Sequence, residues 1–212
     1  LDARGELRGR RGLSPTIPGA TELAAVVRIE DSVAPRLEDP ARLSSELDAR
    51  LAAIRAEVDA SGVMLTEVQL DFDVPVRRLE AWAEVAGRLA QGALADSPVW
   101  LTSIPAHLAE ERYGALFSGA VAGHIYQTFD TGLGCDPRAI AKARSHLVRA
   151  ALPYRLGVAS YERSRDGRRT TAHRCWASAS PELQHPGLYA GSWVFPAGRD
   201  VDEAFTLLEV QP

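Results

Sequence analysis

Polar and apolar positions alternate most regularly over Thr66–Pro75. Glu67, Gln69, Asp71 and Asp73 fall on one side of an extended chain, and Val68, Leu70 and Phe72 on the other. Successive side chains of a strand point to opposite faces, so this run predicts a strand with polar groups along one face. Around it the pattern switches between short apolar runs and helical periods. Leu23–Glu30 predicts a buried strand. Asp39 with Pro40 marks a helix start, and Leu43, Leu47, Leu51, Ile54 and Val58 carry the helical period until Ser61-Gly62. After the acidic strand comes a helix from about Val76 to Gln91, closed by Gly92.

Pro98–Ile104 predicts the next strand, with a helical stretch from His107 to Phe117 and a strand over Val121–Phe129 behind it. Asp136-Pro137 repeats the helix-start signal for a helix running to about Ala151. Tyr154–Ser160 is a strand, Gly187–Phe195 a weaker one and Phe205–Val210 a last short one. Ser164–Arg169 has the composition of a hairpin turn around Asp166-Gly167. Residues 1–20 are rich in Arg, Gly and Pro and lack a period, which predicts a loop or poorly ordered lead-in to one domain over 21–212.

Strands alternating with helices of crossover length predict a parallel α/β fold. About six strands are visible, whereas a complete eight-fold barrel takes roughly 250 residues. Two architectures follow: a (β/α) TIM-type barrel lacking its first units, or an open doubly wound sheet. In a parallel barrel the C-terminal strand ends build the active site, and Asp71 and Asp73 stand at such an end.

Composition narrows the partners. A net charge of -4 argues against nucleic acid or an anionic membrane surface as the main partner. No apolar run approaches the ~20 residues of a membrane span. Lys142 is the only lysine, so the many arginines reflect a compositional bias more than an arginine-based site. The first residue is Leu1 and no signal peptide is present, as in a processed protein, which leaves the compartment open. Cys135 and Cys175 fit either one bridge or two buried thiols.

The acids carry the candidate chemistry. Two residues apart on one strand, Asp71 and Asp73 have Cα atoms roughly 6–7 Å apart. Glycosidase carboxylates act at about 5–5.5 Å for retention and about 6.5–9.5 Å for inversion, and side-chain reach admits both. Neighbouring acids push one pKa upward, giving one proton donor and one anion. The bland alternatives are that Asp73 caps the helix after Pro75 and that Asp71 pairs with an arginine such as Arg28. Gln69 forms a polar layer below the acids, either orienting them, binding a sugar hydroxyl or making a structural hydrogen bond. Arg28 and Glu30 share a parity that faces the same pocket or forms an ordinary ion pair. Trp100, Tyr161 and Trp193 lie near strand ends, where aromatic faces stack on sugar rings or simply fill the core.

Cofactor chemistry finds little support. His124, His146, His173, Cys135 and Cys175 lack the paired spacing of a zinc site. Asp71 and Asp73 could still hold a hard cation through oxygen ligands. Gly132-Leu-Gly134 lacks the spacing and lysine of a phosphate loop, and no Gly-x-Ser-x-Gly elbow is present. No cofactor is expected.

Four segments resemble a known family: Val68-Gln69-Leu70-Asp71-Phe72-Asp73, Leu101–Pro105, Ile125-Tyr126-Gln127 and Pro153–Ala159. Together they resemble, over roughly residues 23 to 196, the bacterial domain of unknown function 3142 family. That resemblance implies a glycoside-hydrolase-like TIM barrel acting on or binding a carbohydrate, in an exported or lipid-anchored envelope protein. It also implies further strands before the segment of Leu23–Glu30. The family is similar to chitinase-type barrels, whose fourth strand carries Asp-x-x-Asp-x-Asp-x-Glu. Here only Asp71 and Asp73 match; Val68 stands at the first Asp and Pro75 at the terminal Glu. The resemblance favours Gln127 as the inward group on its strand, whereas parity with His124 and Thr128 favours Tyr126. The rival reading is a non-catalytic glycan-binding or envelope scaffold that kept the barrel and lost its acid. A metal-assisted hydrolase is the third.

Overall fold

The computed structural model describes residues 21–129, 131, 134–159, 163–165, 168–170 and 172–195. The lead-in 1–20, the strand expected at Phe205–Val210, Tyr161, Gly132 and the Asp166-Gly167 turn lie outside them. Contacts divide the chain into two compact units, Leu1–Thr102 with Ala115–Ala122, and Ser103–Gly114 with Gly123–Pro212.

In the first unit, β1 (Glu22–Arg28), β2 (Met64–Asp71) and β3 (Val99–Ser103) alternate with α1 (Pro40–Ala60) and α2 (Leu79–Gln91). β1 pairs with β2 and β2 with β3, both parallel. A 3-10 helix, Asp31–Glu38, follows β1, and a short one, Val76–Arg78, precedes α2. The Asp39 side chain accepts from the Arg42 N–H and Pro40 opens α1, satisfying the start that the sequence marks. One face of the strands (Ala25, Val27, Ile29; Val68, Leu70, Phe72; Val99, Leu101) is buried with the apolar stripes of both helices. Phe72 meets Trp82 of α2 edge to face at 5.2 Å.

In the second unit, β4 (Gly123–Gln127), β5 (Tyr154–Ala159) and β8 (Tyr189–Phe195) pair in that order, again all parallel. Two short helices, α3 (Pro105–Ala109) and α4 (Tyr113–Phe117), replace the single helical stretch expected there, and α4 straddles the unit boundary. The chain turns extended at Glu110, which ends α3. Gly114 is forced: a Cβ there would lie 2.0 Å from the Ala150 carbonyl oxygen. Between β4 and β5 runs α5 (Pro137–Ala150), capped by Asp136, whose carboxylate accepts from the Arg138 and Ala139 N–H groups. The β5-to-β8 crossover holds an antiparallel pair, β6 (Arg163–Arg165) and β7 (Arg168–Thr170), with Arg165 opposite Arg168. It also holds two helices that the periodicity missed, α6 (Ala172–Ser178) and α7 (Ser180–Leu183). Cys135 and Cys175 form a disulfide with Cα atoms 6.0 Å apart, which decides between the bridge and the two thiols.

Six parallel strands alternating with helices make this an incomplete α/β barrel, the first of the two architectures.

Candidate active site

The acidic strand ends earlier than its alternation suggests. β2 stops at Asp71, paired with Arg28 at the end of β1, so Asp73 lies beyond the strand instead of on it. Asp73 is not the helix cap either: Pro75 and Arg78 precede the two helical segments, and neither start has a side-chain cap. Parallel register sets Val26 beside Gln69 and Arg28 beside Asp71, and Gln69 beside Trp100. Alternation then places Arg28, Gln69, Asp71, Trp100 and Thr102 on the face opposite the helices.

On that face the side chains interlock. Arg28 donates from Nη1 to Asp71 Oδ1 at 3.0 Å and from Nη2 to Asp73 Oδ2 at 2.8 Å. One guanidinium fork therefore bridges the two carboxylates. The arginine stays half exposed (48%), while the side chains of Asp71 and Asp73 are 15% and 32% exposed. Beneath them Gln69 is buried at 1% exposure and donates from Nε2 to Thr102 Oγ1 at 2.9 Å. The Thr102 hydroxyl in turn draws the Asp71 carboxyl downward. Gln69 Oε1 and Asp73 Oδ1 are buried without a hydrogen-bond partner.

Burial decides the protonation behaviour of Asp71. Its carboxyl is raised above the ordinary aspartate value by burial, against the opposing pull of Arg28 and the Thr102 hydrogen bond, with Asp73 adding to the rise. For Arg28 burial acts downward, but the bonds and charges of both carboxylates outweigh it and leave the guanidinium raised. A carboxyl kept partly desolvated at a strand end, oriented from two sides, has the properties of a proton donor.

Of the remaining described sequence candidates, Tyr126, Gln127 and Trp193 lie in the second unit, and Trp100 and Glu30 in the first. Tyr126 is buried, with its hydroxyl raised beyond the phenol range by burial. Gln127 is half-buried at the end of β4 and donates from Nε2 to the Phe129 carbonyl at 3.0 Å. Trp193 is half-buried in β8, with the Arg155 guanidinium 5.6 Å from its ring centre. Trp100 is buried and Glu30 exposed just past β1. No group of three or more His, Cys, Asp or Glu able to hold a metal ion occurs among the described residues.

Two features escaped sequence reasoning. Thr102, the hydrogen-bond partner of Gln69, was detectable only once the β2–β3 register was known. The second unit also holds a buried polar cluster: Ser103 Oγ lies 2.7 Å from His124 Nδ1, and the Tyr113 ring meets that of His124 at 5.5 Å. His124 is pushed down to about 3 by burial and then by His107, so its ring is neutral, and its Nε2 is buried without a hydrogen-bond partner.

No family model matches the chain, and no curated protein sequence matches it. Solved structures share its fold, among them the following two. One is a hyperthermophilic endo-β-1,4-glucanase in complex with substrate: 8% identity, TM-score 0.52, covering 88% of this chain and 71% of that one. The other is the Bacillus cereus spore cortex-lytic enzyme SleL: 12% identity, TM-score 0.52, covering 89% of this chain. The chain spans 58% of the length of SleL. At these identities the likeness is one of fold, and it is to barrels of glycoside-hydrolase and cortex-lytic enzymes.

Proposed function

We propose that the chain is a glycoside-hydrolase-like protein that binds a carbohydrate at the C-terminal ends of its strands and cleaves it with Asp71 as acid/base. The observation that carries this reading is the Asp71 carboxyl: half-buried, raised by that burial, and paired with Arg28. Protonating a glycosidic oxygen needs a carboxyl that keeps its proton near the working pH. Gln69 adds support. A buried amide oxygen without a partner costs roughly 1–3 kcal/mol, a cost that a ligand hydroxyl would relieve.

In this reading Asp73 is the companion carboxylate and Arg28 holds both acids and a substrate hydroxyl. In the second unit, taken by itself, Gln127, more exposed than Tyr126, is the better glycan contact of that pair, and Trp193 offers an aromatic face. Residues 21–212 act as one domain. Membership in the domain of unknown function 3142 family rests on the four motif segments. The disulfide suits an exported or envelope protein, as that family implies.

A non-catalytic glycan-binding role is the second reading, favoured by one geometric fact. Arg28 neutralises both acids at once, and Pro75 stands where the chitinase-type glutamate would be. The test pairs binding with turnover on a panel of soluble glycans, using wild type and Asp71→Asn. Reducing ends released by wild type and not by the variant support the hydrolase. Equal binding by both without release supports the binding protein.

A further inference from the structure

Helix α5 concentrates positive charge. Over Pro137–Ala150 it carries Arg138, Lys142, Arg144 and Arg149 and no acid, in a chain whose net charge is -4. Like charges at i and i+4, such as Arg138 and Lys142, destabilise a helix by about 0.2–0.5 kcal/mol, so this arrangement opposes folding. Arg138, Lys142, Ser145 and Arg149 follow spacings of four, three and four and so form one stripe, exposed throughout.

The contrast with the first unit is direct. There Arg28, Arg36, Arg42, Arg55, Arg78 and Arg88 each form an ion pair with a carboxylate. Among the described residues, none of the four cations of α5 has such a pair. Beside the stripe is a groove of about 550 Å³, lined by Arg144, Ser145, Val148 and Arg149 of α5 and by Glu182 of α7. Arg149 is held in place at this edge by donating to the Leu108 carbonyl at 2.6 Å and the Ala109 carbonyl at 3.3 Å.

We infer that the outer face of α5 is a binding surface for an acidic polysaccharide, a glycan chain bearing carboxylate or phosphate groups. Arg138, Lys142 and Arg149, none in an ion pair among the described residues, set cations at repeated intervals that match anions along an extended chain. The polysaccharide is favoured over two other polyanions. A membrane surface calls for apolar side chains to insert, and the exposed face offers only Val148 as a large one. A nucleic acid meets the same net-negative chain as the glycan does, so it is set aside only by the likeness of the fold to glycan-cleaving enzymes, and duplex DNA is an arm of the test. The glycan class rests on the function proposed above; the cationic face does not.

Binding of the full chain to polygalacturonate is measured by affinity electrophoresis and calorimetry, with a neutral glucan, phosphatidylserine vesicles and duplex DNA as comparisons. The R138Q/K142Q/R144Q protein loses about tenfold or more in affinity for polygalacturonate, and wild-type affinity falls steeply with added salt. The R50Q/R77Q protein removes two exposed arginines of the first unit and stays within about twofold of wild type. The Asp71→Asn protein is measured in the same assays together with its turnover of neutral glucans, so that failure here is separated from failure at the acidic site. Equal affinity for the neutral glucan, equal loss in R50Q/R77Q, or loss only in Asp71→Asn overturns the proposal. So does tighter binding to vesicles or DNA that the triple substitution abolishes. Should the triple variant melt early, Lys142→Glu alone decides: an unchanged affinity contradicts the inference.

Discussion

Breaking the Cys135–Cys175 bridge tests the second unit quantitatively. The cysteines are 40 residues apart, and the loop they close contains α5, β5 and the β6–β7 pair. In the chain-entropy treatment a crosslink of that span removes about 13 cal/mol/K from the unfolded ensemble, or about 4 kcal/mol at room temperature. With a urea slope of about 2 kcal/mol/M, this shifts the unfolding midpoint by roughly 2 M. The assay is urea denaturation followed by tryptophan fluorescence, in the presence and absence of reductant, with the Cys135→Ser and Cys175→Ser proteins alongside. All three perturbations should lower the midpoint equally, because each opens the same loop. A midpoint indifferent to reductant, or two titratable thiols in the unreduced denatured protein, refutes the bridge and the size assigned to it.

Three further outcomes follow from individual side chains. Asp71 has a raised folded value, so its stabilising contribution is complete below the ordinary aspartate range and is lost as pH rises through the folded value. At pH 7 the Asp71→Asn protein should therefore unfold no more easily than wild type, with a gain of about 0.5–2 kcal/mol in urea titration; a loss exceeding that range would show that Asp71 is a structural ion pair. His124 works in the opposite sense: held at about 3 in the fold, it binds a proton more readily when unfolded, so stability declines as pH falls from about 6.5 toward 3. His124→Asn should flatten that decline in midpoints measured at several pH values, and an unchanged slope counts against it. Ala151 closes α5 with φ +51°, a left-handed conformation costing roughly 1 kcal/mol for a residue with a Cβ. Ala151→Gly should raise Tm by roughly 2–4 °C in a calorimetric scan, and a decrease counts against the strain.

What the sequence disclosed was local, and what it hid was spatial. Asp39-Pro40 and Asp136-Pro137 specify their helix starts through the side chain that caps and the ring that presets φ, and both helices begin there. The common parity of Gln69 and Asp71 is likewise a property of the strand alone. The end of β2 is not local: pairing with β1 stops at Arg28 opposite Asp71, so Asp73 leaves the ladder although its alternation continues. Arg28 as the partner of Asp71 was among the sequence alternatives, but its second bond to Asp73 depends on where the strand ends. The helices α6 and α7 were missed because Ala172–Ser178 has no sustained apolar period; Pro181 at the start of α7 was the available signal. Ser103, Tyr113 and His124 meet only after folding, which their sequence spacing does not announce.

The central claim is that the half-buried Asp71 acts in cleavage of a glycosidic bond. The most direct measurement compares kcat/KM of wild type, Asp71→Asn and Asp71→Glu on the glycan that wild type cleaves fastest, each across pH 4 to 8. The account expects Asp71→Asn to lose about 10²–10⁴-fold while remaining folded and still binding the glycan, with partial recovery in Asp71→Glu. The wild-type rate should fall at high pH as the Asp71 carboxyl ionises. Undiminished turnover in Asp71→Asn, or no glycan cleaved by wild type, contradicts it.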